Sequence, residues 1–182
     1  MKTEHHRRSI RLCETDYSVP GMYFVTICVK NRECLFGEVI DGEIRLGEYG
    51  EVAKQCWEGI PSHFLDAVID EYVIMPNHIH GVIEIVDHVG AENFLPLQPK
   101  PHGYQRVTPR SIASIVRGFK IGVTKWWREN GYEGGLWQRN YYEHIIRNDK
   151  SLNQIRQYIR DNPFNWGIDE NNPVCIARKI KG

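Results

Sequence analysis

The chain has 182 residues, equal numbers of basic and acidic residues, and 41% hydrophobic residues. This length suits one domain, and the composition excludes a disordered tail, a collagen, a coiled coil and a disulfide-stabilised miniprotein. The charge is uneven: residues 33–93 hold thirteen acidic and two basic residues, whereas residues 105–160 hold eleven basic and four acidic residues. This asymmetry suggests a face that binds a polyanion, although surface helices that simply differ in charge would explain it equally well.

Hydrophobic periodicity predicts an alternation of strands and helices. In chain order, the predicted elements are a strand at 23–30, a hairpin at 38–46 around Asp41-Gly42, a helix at 48–59, strands at 67–75 and 78–86, a helix at 111–129, a strand at 136–146 and a helix at 151–161. This order fits an α+β, ferredoxin-like fold, in which a four-stranded antiparallel sheet carries helices on one face. The other face would then be open for a ligand.

The whole chain, 1–182, is predicted to form a single domain with three irregular segments. They are a basic N-terminal arm (about 1–19), a loop rich in Pro and Gly (about 87–109) and a short C-terminal tail (about 168–182). The five cysteines are scattered and odd in number, which is typical of reduced thiols in a cytoplasmic protein. Neither a secretory signal nor an apolar run long enough for a membrane helix is present.

The central motif for chemistry is Met75-Pro-Asn-His-Ile-His-Gly81. His78 and His80 are two residues apart on a predicted strand, so both project from one face, while Ile79 projects from the other. Two neutral imidazoles make half of a site for a divalent ion such as Zn, Mn or Ni, or for Mg in a mixed nitrogen and oxygen site. Taken alone, the motif is more often a pair of surface histidines on a strand.

The last predicted helix carries a polar row beside its apolar stripe. Gln154, Tyr158 and Asn162 are spaced four apart and are therefore neighbours on one helix face. Tyr158 offers a phenolic nucleophile, and either amide offers a carbonyl oxygen as a third metal ligand. The alternatives are a tyrosine that packs at the helix rim and an asparagine that ends a helix before Pro163.

The segment 137–144, Trp-Gln-Arg-Asn-Tyr-Tyr-Glu-His, interleaves aromatic, basic and polar residues. On a strand, one face would carry Gln138, Asn140, Tyr142 and His144, and the other Trp137, Arg139, Tyr141 and Glu143. Such a mixture suits stacking on the bases of a single-stranded nucleic acid, but it also fits an ordinary aromatic-rich strand. Glu143 and His144 could equally be metal ligands.

Three motifs in order resemble the single-tyrosine HUH transposases. They are Met-Pro-Asn-His-Ile-His-Gly at 75–81, Leu-Trp-Gln-Arg-Asn-Tyr-Tyr-Glu-His-Ile-Ile-Arg-Asn at 136–148 and Ile-Arg-Gln-Tyr-Ile-Arg-Asp-Asn-Pro at 155–163. The segments at 20–27 and 34–38 also match, and the resemblance extends from about residue 8 to residue 166. The nearest branch is that of the REP-associated tyrosine transposases, which are IS200-like.

The resemblance implies the same ferredoxin-like fold and a metal-dependent activity that cleaves and rejoins hairpin-bearing single-stranded DNA. By position, His78 and His80 would bind a divalent ion, Mg or Mn. Tyr158 would be the nucleophile and would form a 5′-phosphotyrosine. Asn162 would complete the metal site at a position where many related transposases have Gln.

The basic residues are the candidates for DNA binding. They are Arg117, Lys120, Lys125, Arg128 and Arg139, together with Arg7, Arg8 and Arg11 of the N-terminal arm, which by analogy with the family would read a short base sequence. Glu143, His144 and Gln154 are candidates to line the site. A monomer is favoured over a homodimer. The alternatives to an active transposase are a DNA- or RNA-binding module without catalysis and a metal-dependent hydrolase of small molecules.

Overall fold

A computed structural model describes residues 20–87 and 110–174. The strands, in chain order, are β1 (Gly21–Cys28), β2 (Gly37–Ile40), β3 (Glu43–Leu46), β4 (Ala67–Ile74), β5 (His78–Ile85) and β6 (Tyr142–Ile146). The α-helices are α1 (Glu48–Glu58), α2 (Ile60–His63), α3 (Ile112–Glu129) and α4 (Asp149–Asp161). The predicted N-terminal arm and nearly all of the predicted Pro/Gly loop lie outside the described residues.

The main sheet has the strand order β4-β5-β1-β6, and all of its neighbouring strands are antiparallel. This is the order of a ferredoxin-like sheet, so the predicted fold class is confirmed. The predicted hairpin forms a separate two-stranded sheet of β2 and β3. Its turn residues, Asp41 and Gly42, have φ values of 53° and 81°, which is the left-handed geometry that tight hairpin turns require.

The larger core lies between the main sheet and the pair α1 and α3. Alternate residues of β1 and β5, such as Val25 and Ile79, point into it and are fully buried. The last residue of the His-Ile-His-Gly motif has a packing role here. A Cβ on Gly81 would lie 2.2 Å from Cζ2 of the buried Trp57, so only glycine lets the indole pack against β5.

The remaining long helix, α4, lies on the opposite face of the sheet, which differs from the prediction that one face is open. Leu152 and Ile159 of α4 pack with Phe24 of β1, Val82 of β5 and Ile146 of β6 in a second, smaller cluster. These strand residues have the same parity as His78 and His80. The helix therefore covers part of the face that carries the two histidines.

The strand predicted at 136–146 is shorter in the structure and starts at Tyr142. Trp137 makes an isolated bridge to Val29, and the chain then turns through Asn140, whose φ is 69°. Lys120 of α3 donates hydrogen bonds to the carbonyl oxygens of Gln138 and Asn140, and these bonds hold the turn that precedes β6. Within the described residues, no helix has the length and apolarity to cross a membrane.

Candidate active site

The two histidines of the motif face each other on β5. Their Nε2 atoms are 3.0 Å apart, and both side chains are almost completely buried. Burial lowers the pKa of each imidazole to about 3, so both rings are neutral at physiological pH. Two ligand atoms that each lie about 2.1 Å from one ion, at a right angle, are separated by about 3 Å. The spacing of His78 and His80 thus suits a shared divalent cation.

Neighbouring side chains fix the orientation of both rings. The Nδ2 atom of Asn77 donates to the carbonyl oxygens of Arg32 and Asn171, at 2.8 Å each, so its Oδ1 must be the atom that faces Nδ1 of His78 at 2.9 Å. An amide oxygen only accepts, so Nδ1 of His78 carries the proton and its Nε2 lone pair is free. Nδ1 of His80 lies 2.9 Å from Oγ1 of Thr26. Such outer partners typically orient metal-binding histidines.

The predicted nucleophile lies directly beside the histidine pair. The hydroxyl of Tyr158 is 3.2 Å from Nε2 of His80, and the Tyr158 ring packs edge-on against Phe24. The side chain is 47% exposed, so its oxygen can meet a substrate. Burial, and then the negative charge of Asp169, raises the pKa of Tyr158, while a hydrogen bond from Asn162 opposes that rise. The structure thus places Tyr158 beside the histidine pair.

Ion pairs hold the helix that carries Tyr158 on β4. The register of β4 against β5 shifts between Ile69 and Tyr72, and the two acidic residues in this bulge face α4. Asp70 accepts from Nε of Arg156 at 2.9 Å, and Glu71 accepts from Nε of Arg160 at 2.8 Å. Bulges commonly redirect side chains in this way. The two arginines are two residues before and two residues after Tyr158, so they flank the predicted nucleophile.

Asp169 and Asn162 are candidate oxygen donors to an ion held by the histidine pair. The carboxylate of Asp169 forms a cluster with His78 and His80 in which all ligand atoms lie within 4.8 Å of one another. Oδ1 of Asn162 is buried and has no hydrogen-bond partner among the described residues. A buried oxygen without a partner costs free energy unless a ligand satisfies it. The donor set of two imidazoles, a carboxylate and an amide oxygen fits Mg²⁺ or Mn²⁺.

Sequence reasoning missed Asp169, which lies in the predicted irregular tail. Tertiary contacts bring it to the site. Arg32 donates to the Glu170 carbonyl at 3.3 Å and to Oδ1 of Asn171, and the Trp166 ring lies 6.0 Å from the His78 ring. The only local signal was a cluster of carboxylates and amides at 169–172, which has no periodicity that would predict its position.

The other candidates for lining the site separate into two groups. His144 and Gln154 line a cleft beside Tyr158. The structure places Glu143 elsewhere, so the prediction that it lines the site is wrong. It pairs with Val25, which points to the opposite face of the sheet, and it accepts a hydrogen bond of 2.7 Å from the Tyr141 hydroxyl. Side chains alternate along a strand, so His144 and Glu143 cannot share a face.

Four of the predicted DNA-binding residues, Arg117, Lys120, Lys125 and Arg128, line one groove of about 680 Å³ along α3. The groove lies on the opposite side of the sheet from the histidine pair. Lys120 is committed to two backbone carbonyls, and burial lowers its pKa to about 8. Arg139 is exposed in the turn before β6. Arg7, Arg8 and Arg11 lie outside the described residues.

No family model matches the chain. A Haemophilus influenzae protein named only "Uncharacterized protein" is 53% identical over 167 residues, which are 91% of this chain and 93% of that protein. A second H. influenzae protein, named "Putative REP-associated tyrosine transposase", is 27% identical over 156 residues, which are 85% of this chain and 77% of that protein. Among solved structures, a REP-associated tyrosine transposase bound to a REP hairpin matches with a TM-score of 0.58 at 20% identity. That match covers 86% of this chain and 74% of the other, and it shows a shared fold.

Proposed function

We propose that this chain is a REP-associated tyrosine transposase, and that it cleaves and rejoins hairpin-bearing single-stranded DNA through a covalent bond to Tyr158. The observation that carries the proposal is the 3.2 Å contact between the Tyr158 hydroxyl and Nε2 of His80, at the edge of a buried pair of neutral imidazoles. A nucleophile and a cation site are thus adjacent, which is what attack on an anionic phosphodiester requires.

The cation would be held by His78 and His80, with Asp169 and Asn162 as oxygen donors. When bound, Mg²⁺ or Mn²⁺ supplies positive charge to the non-bridging phosphate oxygens and orients the phosphate. The protein's own contribution is to keep both imidazoles neutral by burial and to hold His78 in the tautomer that Asn77 dictates.

Tyr158 supplies the covalent chemistry. Its oxygen bonds to phosphorus as the bond from phosphorus to the 3′ oxygen breaks, and the net proton transfer is from the phenol to the departing 3′ oxygen. A free tyrosine has a pKa near 10 and is a weak nucleophile at neutral pH. The hydrogen bond from Asn162 stabilises the phenolate and partly offsets the effect of burial. The phosphotyrosine preserves the bond energy, so a second 3′-hydroxyl can reverse the step and join new ends.

The groove along α3 is proposed to bind the phosphates of the DNA away from the reacting phosphate. Arg117, Lys125 and Arg128 would make these contacts, while Lys120 mainly holds the turn before β6. Contacts to phosphate are independent of sequence and weaken with salt. The solved relative bound to a REP hairpin supports hairpin DNA as the ligand to test first.

The test is to incubate wild-type protein and a Tyr158→Phe variant with labelled hairpin-bearing single-stranded DNA, in Mn²⁺ or in EDTA, and to analyse the products on denaturing gels. We expect a metal-dependent protein–DNA adduct that is absent in Tyr158→Phe. Tyr132→Phe is the matched control, because this tyrosine is also partly exposed and contacts Tyr49 and Trp127 instead of the histidines. Its adduct should be unchanged.

Two results would contradict the proposal. Tight DNA binding without an adduct, across a broad pool of hairpin oligonucleotides, would favour the alternative of a DNA- or RNA-binding module without catalysis. Cleavage that survives Tyr158→Phe would show that another group is the nucleophile.

A further inference from the structure

The cleft beside Tyr158, which His144 and Gln154 line, lies between β6 and the first turns of α4. It encloses about 300 Å³, at the small end of the range for ligand sites. Tyr158 forms one end of it. The other lining residues are Phe24, Tyr142, His144, Ser151, Gln154 and Ile155. The metal cluster and the α3 groove use none of these six residues.

The apolar part of the cleft is suited to a flat ring. Phe24 is nearly buried and contacts Tyr158 edge-on at 6.1 Å and Tyr142 at 6.4 Å between ring centroids. Tyr142 is 55% exposed, so the rest of its ring is available to a ligand. Aromatic side chains of this kind stack on nucleobases in proteins that bind single strands.

The polar part of the cleft matches the edge of a base better than a phosphate. His144, Ser151 and Gln154 offer hydrogen-bond donors and acceptors together, and the described residues that line the cleft include no Lys or Arg. A phosphate would require several donors or a positive charge, whereas the edge of a base presents donors and acceptors side by side. A glutamine amide in particular can pair with two adjacent base atoms.

We propose that this cleft binds the unpaired base of the nucleotide on the 3′ side of the scissile phosphate, that Tyr142 stacks on this base, and that Gln154 determines which base is preferred. The inference rests on the proposed function. In-line attack places the departing 3′ oxygen opposite the Tyr158 oxygen, so the nucleotide on the 5′ side leaves away from the tyrosine. The nucleotide on the 3′ side stays bonded to Tyr158, next to the cleft.

Tyr142 and Gln154 have different roles in this arrangement. Tyr142 stacks on any base, because every base has an aromatic face. Its loss should therefore slow adduct formation on DNA with each of the four bases to the same extent. Gln154 reads the edge of the base, so its loss changes the ranking of the four bases. A site that merely stabilised the fold would not produce these two distinct signatures.

The first measurement uses the Tyr158→Phe background, which keeps the DNA intact. The hairpin DNA carries 2-aminopurine on the 3′ or on the 5′ side of the cleavage position, which the adduct assay maps. We expect binding to quench the probe on the 3′ side only, and we expect Tyr142→Leu, but not Tyr142→Phe, to abolish the quenching. The Phe variant keeps the ring and controls for folding.

The second measurement compares adduct formation on DNA with each of the four bases, or no base, at the 3′ position. Loss of the base should slow the wild-type protein about fivefold or more, the lower end of the range for stacking on an aromatic side chain. Loss of the base should slow Tyr142→Leu less than it slows wild type, because only the contact with Gln154 is then left to lose. Gln154→Ala should reduce the differences in the rate of adduct formation among the four bases. Gln157→Ala, which removes an exposed glutamine bonded to Asp161 on the same helix, should leave them unchanged.

The outcomes separate the two proposals. If the adduct forms but loss of the base slows wild type and Tyr142→Leu equally, or if quenching occurs only on the 5′ side, the base cleft is wrong and the proposed function stands. If no Tyr158-dependent adduct forms on any hairpin DNA, both are wrong.

Discussion

Removing the ion pair between Asp70 and Arg156 should slow the proposed reaction of Tyr158 strongly while lowering the free energy of unfolding only modestly. The pair joins the bulge of β4 to α4, two residues before Tyr158. The proposed perturbation is Asp70→Asn, Arg156→Gln and the double variant. These changes remove the charges while preserving most of the shape of each side chain.

The expected size follows from the burial of the pair. The side chains of Asp70 and Arg156 are 19% and 33% exposed. Exposed ion pairs contribute at most about 1 kcal/mol, and removing one partner of a fully buried pair costs about 3–5 kcal/mol. Because the second figure includes the cost of an unpaired buried charge and this pair is only partly buried, a coupling energy near the upper limit for exposed pairs, about 1 kcal/mol, is expected. The pair of Glu71 and Arg160, whose arginine is 58% exposed, should contribute less and is the matched comparison.

The pH dependence gives an independent check on this pair. A hydrogen bond from Arg156 is the largest cause that lowers the pKa of the Asp70 carboxyl. The contribution of Asp70 to stability is therefore fully present above the ordinary carboxyl pKa of 3.8 and is lost as the pH falls through the lowered value. The coupling energy should thus be constant from neutral to mildly acidic pH and should decline only in stronger acid.

The assay is a double-mutant cycle on the free energy of unfolding from urea denaturation, with the rate of adduct formation measured on the same proteins. A destabilisation of this size leaves the protein folded, yet a shift of α4 by about 1 Å could slow the reaction by up to about a hundredfold. A coupling energy indistinguishable from zero, or rates that do not change, would refute the view that this ion pair positions Tyr158.

Three further predictions concern the metal, the core and the DNA groove. Asp169→Asn should weaken Mn²⁺ binding by at least about tenfold, measured by titration calorimetry without DNA, and unchanged affinity would remove this carboxylate from the donor set. Gly81→Ala should lower the free energy of unfolding by about 1–3 kcal/mol, because the added Cβ would overlap the buried indole of Trp57. Gly135→Ala is the control and should leave the free energy of unfolding unchanged, because no atom lies within 4 Å of the added Cβ. Equal losses in the two variants would contradict this packing. Arg117→Gln should reduce by about 1 the slope of the logarithm of the DNA-binding constant against the logarithm of salt concentration. Arg45→Gln, which changes an exposed arginine in the acidic segment 33–93, is the control and should leave that slope unchanged. Equal slopes for the two variants would mean that the α3 groove does not bind phosphate.

Local patterns sufficed for the elements that carry the histidines and the tyrosine. Alternation along β5 places His78 and His80 on one face, and the four-residue spacing on α4 places Tyr158 next to Asn162. Both features depend only on the period of one element. The hairpin was predictable for the same reason, because Asp41-Gly42 specifies its own turn geometry.

Features that depend on tertiary contacts were not predictable in this way. The strand β6 is shorter than the alternation of residues 136–146 suggests. Lys120 of α3 donates hydrogen bonds to the carbonyl oxygens of Gln138 and Asn140 and so holds a turn where a strand was predicted. Asp169 reaches the histidines only because Arg32 and Asn77 bond to the segment that follows it. No local spacing encodes these contacts between residues far apart in the chain.

The two faces of the main sheet carry cores of unequal size. Among the described residues, nineteen buried side chains form the cluster between the sheet and the pair α1 and α3, whereas five form the cluster between the sheet and α4. Segments with few buried contacts open at the lowest free-energy cost. We therefore expect amide hydrogens of α4 to exchange faster than those of α1 and α3, and those of β1 and β5 to exchange most slowly. On this expectation, local opening of α4 would carry Tyr158, the proposed nucleophile, away from His78 and His80 while β5 stays folded.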